Sequence, residues 1–97
     1  MTIGTCKVVL HLPENRSLKG KRQVVKSITT RVKNKFNVSV AEVDGQDLWQ
    51  TATLGIAYVS NSTPHANEVL SKVVDFINGL RVEANIMDYE IDILHAL

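Results

Sequence analysis

Apolar residues in this chain recur first at every second position, then at every third or fourth, and the two periods keep exchanging along the sequence. No other property limits the fold as tightly, because a period of two suits a strand and a period near 3.6 suits a helix. From Ile3 to Leu12, Cys6, Val8, Leu10 and Leu12 make one face while Thr5, Lys7 and His11 make the other, which predicts a strand. Pro13 lacks a backbone donor and ends it. Ser17 predicts the cap of a helix that starts at Leu18, with Leu18, Val25, Ile28, Val32 and Phe36 as its apolar stripe. Gly20 weakens its first turn by up to about 1 kcal/mol relative to Ala. Val38 to Val43, rich in β-branched residues, reads as a second strand. Asp44-Gly45 is a turn signal, and Thr51 to Ser60 a third strand. Thr63 as a cap, with Pro64 at the first helical position, predicts a second helix. Its inward residues are Val69, Val73, Phe76, Ile77 and Leu80, and Gly79 lies near its stop. Ile86 to Leu94 is the last strand, with Met87, Tyr89, Ile91 and Ile93 on one face and Asp88, Glu90 and Asp92 on the other.

The order βαββαβ predicts a ferredoxin-like α+β fold. Right-handed crossovers place strands one and three at the centre of a four-stranded antiparallel sheet of order 4-1-3-2, with both helices on one face. Residues 1–97 make a single domain of that kind. Strand two is ambiguous, because Val38 and Val40 compete with Ala41 and Val43 for the core. Composition adds exclusions. No apolar run approaches the ~20 residues that span a bilayer, so no membrane role is expected. Cys6 is the only cysteine, which excludes an internal disulfide. Met1-Thr2-Ile3-Gly4 carries no charged region leading into an apolar one, and a cytoplasmic protein is the expectation.

Charge is distributed unevenly. Eight of the eleven Lys and Arg residues fall between Arg16 and Lys35, and Asn15 to Ala41 contains no Asp or Glu. The remainder holds only Lys7, Lys72 and Arg81 against ten acids, so the net charge of +1 conceals a basic segment on an acidic body. Such polarity speaks about partners and steering, not about fold.

Several runs are familiar together. Ser17-Leu18-Lys19-Gly20-Lys21-Arg22, Phe36-Asn37-Val38-Ser39-Val40-Ala41-Glu42-Val43, Asp47-Leu48-Trp49-Gln50 and Val59-Ser60-Asn61 resemble the bacterial YlxP-like family. The resemblance implies a small ferredoxin-like cytosolic protein of unknown biochemical role. It also implies a gene neighbourhood of translation initiation, transcription elongation and ribosome maturation factors. It brings no catalytic residues to carry over.

The residues themselves offer little chemistry. His11 and His95 are expected at opposite sheet ends and His65 in a helix turn, so they cannot converge on one metal ion. Asp88, Glu90 and Asp92 line a straight strand, about 7 Å apart, which supplies too few converging oxygens for calcium. Asp44-Gly45-Gln46-Asp47 lacks the glycine position and terminal Glu of a calcium loop. There is no phosphate-binding, dinucleotide or serine-nucleophile motif. No catalytic residue, metal or cofactor is therefore expected. Arg16 beside the helix start could hold an anion, or could simply be solvated. Trp49, the only tryptophan, could stack on a base or partner, but folding back over the end of the core is the expected arrangement.

Two surfaces remain. An RNA-binding sheet would carry aromatics on its central strands, and strand one has none. On the first helix, Lys19, Arg22, Lys26 and Lys33 fall on the side away from the apolar stripe and extend about 21 Å, enough for several phosphates. With Arg16 they form the candidate surface for structured RNA or a ribosome; a solvated face or an acidic protein partner are the alternatives. Lys21 lies nearer the apolar side and is expected to snorkel or cover the core edge. The other surface is the outward sheet face, where Thr5, Val9, Gly55, Ala57 and Val59 are small or mildly apolar and suit a homodimer contact.

Overall fold

The computed structural model describes Met1–Leu97. Its elements are β1 (Thr2–His11), α1 (Leu18–Lys35), β2 (Ser39–Asp44), β3 (Thr51–Ser60), α2 (Thr63–Asn78) and β4 (Asn85–His95). The strands form one antiparallel sheet in the order β2-β3-β1-β4, the ferredoxin-like arrangement expected from the periodicity. Direct cross-strand partners share a face, so β1 fixes the sides: Cys6, Val8 and Leu10 stand opposite Ile56, Leu54 and Ala52. All six are buried beneath the helices. Leu12 lies just past β1 and is also buried, its N–H bonded to the Gln50 carbonyl at 2.9 Å. No helix is long and apolar enough to cross a membrane.

The ambiguity in β2 resolves toward Val40, which is buried opposite Ile56, with Val38 packed against the core and Ala41 and Val43 outside. Each edge strand carries a bulge. On β2 it falls between Glu42 and Asp44, against neighbouring residues Leu54 and Thr53; on β4 it falls where Val9 pairs with Asp88 and Leu10 with Ile86. The β4 bulge corrects one expectation. Met87 is the extra residue and is exposed, and Ile86 takes the inward place beside Leu10. Tyr89 faces the helix side opposite Val8 but, on an edge strand, stays exposed.

In α1, Val25, Ile28 and Val32 are buried, while Leu18 and Phe36 are half-buried at its two ends. The Ser17 hydroxyl caps it as expected, accepting from the Gly20 N–H at 3.0 Å. For α2 the expected cap was one residue late: Ser62 caps, accepting from the His65 N–H at 3.3 Å, and Thr63 and Pro64 lie inside the first turn. Its buried stripe is Ala66, Leu70, Val73, Val74 and Ile77, so Val73 and Ile77 were read correctly while Val69 is only half-buried. The small residues Ala66 and Gly4 explain the difference. A Cβ on Gly4 would lie 2.7 Å from Leu70 Cδ1 and 3.3 Å from Ala66 Cβ, so α2 presses directly onto the backbone of β1 there. Phe36 and Phe76 meet edge to face at 5.6 Å and tie the end of α1 to α2.

Candidate nucleic-acid interface and the open sheet face

The basic segment divides into one buried cation and seven exposed ones. Arg16, Lys19, Arg22, Lys26, Arg31, Lys33 and Lys35 are exposed, and none forms an ion pair. Lys35 instead holds its ammonium 5.3 Å from the Phe76 ring centre, a cation–π contact. The expected stripe of Lys19, Arg22, Lys26 and Lys33 therefore stands in solvent as a positive ridge, interrupted by Thr29 and Thr30 before Lys33, with Arg16 just before it. Helix polarity makes its position unfavourable: cations near a helix N-terminus oppose the macrodipole, and the first turn of α1 contains no acid to offset them. Lys33 and Lys35 at the other end suit the dipole.

Lys21 is the correction within this segment. It neither snorkels nor covers an edge; its side chain is 0% exposed. Its ammonium donates to the carbonyls of Gly45 at 2.7 Å, Gln46 at 3.1 Å and Thr51 at 3.3 Å. An ammonium has three protons, so all are used. Glu42 Oε2, 2.9 Å away on β2, is thus held by charge and receives no directed hydrogen bond. A buried lysine bonded in this way balances its charge against one carboxylate and the negative ends of three peptide dipoles. The consequence is structural. Lys21 fixes the turn after β2 to the start of α1, and Gly45 can lie in that turn because its φ of 70° is open to glycine.

The same end of the molecule is fastened from the other side. Asn15 Nδ2 donates to the Ser17 carbonyl at 2.7 Å and to the Trp49 carbonyl at 2.5 Å. Gln50 Nε2 donates to the carbonyls of Pro13 and Asn15 at 3.1 and 3.2 Å. Gly20 is required here for close approach, since a Cβ would run into the Asn15 side chain. Trp49 does not fold back over the core. It is 56% exposed, beside the exposed Leu48, at the N-terminal end of the basic ridge.

On the uncovered sheet face the register arranges residues in rows. Leu94, Ile3 and Val59 lie abreast, then Asp92, Thr5, Ala57 and Ser39, then Glu90, Lys7, Gly55 and Ala41. Small side chains in the second and third rows leave a shallow trough of about 600 Å³, with Glu90 and Asp92 at the β4 end and Val43 near the β2 end. A Cβ on Gly55 would come within 2.7 Å of Val43 Cγ1, so the Val43 side chain, at the β2 bulge, lies over that glycine. Thr5, Val9, Gly55, Ala57 and Val59 do share this face, and Val59 is 63% exposed. Sequence reading missed the contribution of β2 to it, because Ala41 and Val43 were still candidates for the core.

The remaining reactive side chains are dispersed. His11 pairs across to Asn85 at one end of the sheet and His95 to Thr2 at the other. His65 Nε2 lies 3.2 Å from the Tyr58 hydroxyl, and Tyr58 packs against the core. Lys72, hydrogen-bonded at 2.9 Å, holds the exposed Glu68 carboxyl below its usual range. Cys6 is buried, and burial pushes its thiol from an ordinary 9.0 up to about 11, so little thiolate forms near neutrality.

The class defined by this topology is a small ferredoxin-like α+β protein with one open sheet face and one basic helix ridge. Residues 3–91 match the family described as "Protein of unknown function (DUF503)", and the chain belongs to that family. It is 45% identical over 73 residues to the "Uncharacterized protein YlxP" of Bacillus subtilis (strain 168), covering 75% of this chain and 77% of that one. The YlxP-like resemblance of its motifs is thereby confirmed. Among solved structures, the "De novo designed protein Foldit4" aligns over 100% of both chains with a TM-score of 0.54 and 13% identity, a likeness of fold alone.

Proposed function

We propose that this protein is a non-enzymatic cytoplasmic module that binds structured RNA, ribosomal RNA included, through Lys19, Arg22, Lys26 and Lys33 of α1 with Arg16 at its entrance. One observation carries the reading: the ridge is exposed, free of carboxylate partners, and placed partly where helix polarity disfavours it. Stability alone gives no reason to keep cations there, whereas phosphate binding does. If those four residues each engage one phosphate, log K against log salt should slope by about −3.6 on a duplex and near −2.8 on a single strand. Phosphate contacts position without specifying, so sequence preference should be slight. The test compares wild type with the Arg22→Glu/Lys26→Glu double variant on ribosomal RNA fragments at moderate salt. Loss of binding in a folded variant supports the reading, and equal affinity, or no wild-type binding, overturns it.

A second reading, self-association through the sheet face, has its own support in the row Leu94–Ile3–Val59, exposed at Leu94 and Val59, beside Thr5, Val9, Gly55 and Ala57. A two-fold contact there would keep the β4 acids at the rim, where charge costs little. Sedimentation of wild type against Val59→Arg decides it, since a monomeric wild type leaves nothing for the substitution to dissociate.

A further inference from the structure

We infer that Trp49 is a stacking platform for an unpaired nucleobase of the RNA held by the α1 ridge; this rests on the RNA reading above and gives it a substrate class. Tryptophan offers the largest flat apolar surface of any side chain, and a loop that leaves it in water forgoes its burial. Here 56% of it stays exposed, and the aromatic contacts of the protein join Phe36 to Phe76 and Tyr58 to His65, none to Trp49. Exposed Leu48 widens the apolar surface beside it.

Looseness does not explain that exposure. The loop's carbonyls at Gly45, Gln46 and Trp49 accept from Lys21 Nζ, Lys21 Nζ and Asn15 Nδ2, at 2.7, 3.1 and 2.5 Å. Its internal turn closes with the Leu48 N–H on the Gly45 carbonyl at 3.0 Å, and its exit with the Leu12 N–H on the Gln50 carbonyl at 2.9 Å. The backbone that carries the indole is thus already held, so stacking a base on it costs only the side chain's own rotations, which favours useful affinity. The residue that grips the Trp49 carbonyl, Asn15, immediately precedes Arg16, so the platform adjoins the entrance of the cationic ridge. A strand whose phosphates follow Arg16, Lys19 and Arg22 would therefore pass a free aromatic face at that end. Paired bases are stacked on one another and have no face to offer, whereas unpaired ones do. Stacking accepts any base, and the amide groups of Asn15 and Gln50 already donate to backbone carbonyls, so recognition should be tolerant of base identity.

Because Trp49 is the only tryptophan, its emission reports on the platform directly. A short unstructured RNA and a duplex RNA of equal length are titrated while intrinsic fluorescence and the anisotropy of labelled RNA are followed. The single strand should quench Trp49, and Trp49→Ala should weaken its binding by about 5- to 150-fold, the range for one stacked base. Trp49→Phe should retain most of the affinity, and duplex binding should be unaffected by either change. Single-strand binding without quenching, or an equal loss on both RNAs, overturns the stacking role while leaving the RNA reading in place. Absence of binding to both RNAs overturns the two together.

Discussion

Helices α1 and α2 lie on the same face of one sheet yet are held down by different chemistry. Helix α2 presents five buried residues, all apolar, and reaches closest at Gly4, where the absence of a side chain lets Leu70 and Ala66 touch the strand. Helix α1 buries three apolar residues and a lysine, and its first turn is fastened by charge and hydrogen bonds to the turn after β2. Apolar contact is non-directional and tolerates small shifts, while an ammonium shared among three carbonyls fixes a position. The difference teaches where this protein needs accuracy: at the end of the molecule that carries Arg16, Lys19 and Trp49.

The strongest way to break the contrast is Lys21→Met. It leaves the covered Oε2 of Glu42 beside no cation and removes the donor from three carbonyls, so unfolding in urea should show a loss of about 3–5 kcal/mol. Adding Glu42→Leu should restore only part, because the carbonyls of Gly45, Gln46 and Thr51 remain without that donor. Full restoration would mean that the charge pair alone mattered. Cys6 lies in the core under the helices and tests what they share. Its unfolded thiol ionises near the ordinary 9.0 and its folded one near about 11, so stability is intact below pH 9 and falls as pH rises between those values. Cys6→Ala should abolish that alkaline slope, worth on the order of 2 kcal/mol, in denaturation curves taken across the range.

Gly4→Ala probes the apolar attachment of α2 and should cost about 1–3 kcal/mol through overpacking against Leu70. Combined with Leu70→Ala the two losses should fall short of additive, because the smaller side chain vacates the contested space. Simple addition would show that helix and strand adjust independently. The smallest effect separates stability from function. Lys19→Glu places an acid in the first turn of α1 and should raise stability by about 0.3–1 kcal/mol while lowering RNA affinity. A change that strengthens the fold and weakens binding marks a residue kept for its partner.

Much of this architecture was legible because strict alternation in β1 and β3 leaves one apolar set per strand, and the register then follows. The failures have physical causes. Ile86 and Met87 are both apolar, so alternation cannot tell which of them a bulge ejects. Val69 and Leu70 compete for one helical stripe, and the choice was made by Gly4, far away in sequence. Within the candidate site, the exposure of Lys19, Arg22, Lys26 and Lys33 followed from helical geometry alone, whereas Arg16 precedes the Ser17 cap and lies beyond its reach. Lys21 sits on the apolar side by the same geometry, but the carbonyls that admit it belong to a loop more than twenty residues later. Trp49 was misjudged because an aromatic is expected to bury itself, and nothing local reveals the side-chain amides that hold its loop outward.

The two bulges have a bearing on how copies of this protein meet. Both edge strands lose their regular ladder at the same height of the sheet, next to the Val9–Thr53 pair. An incoming strand from another copy would find its hydrogen-bonding groups out of step at either side, and on β4 it would also meet Asp88, Glu90 and Asp92. Open-ended growth from edge to edge is thereby discouraged, even though the sheet is neither closed nor capped. Removing Met87 would straighten one border and lower that barrier: such a deletion should promote fibrous aggregation, visible as rising turbidity and thioflavin fluorescence.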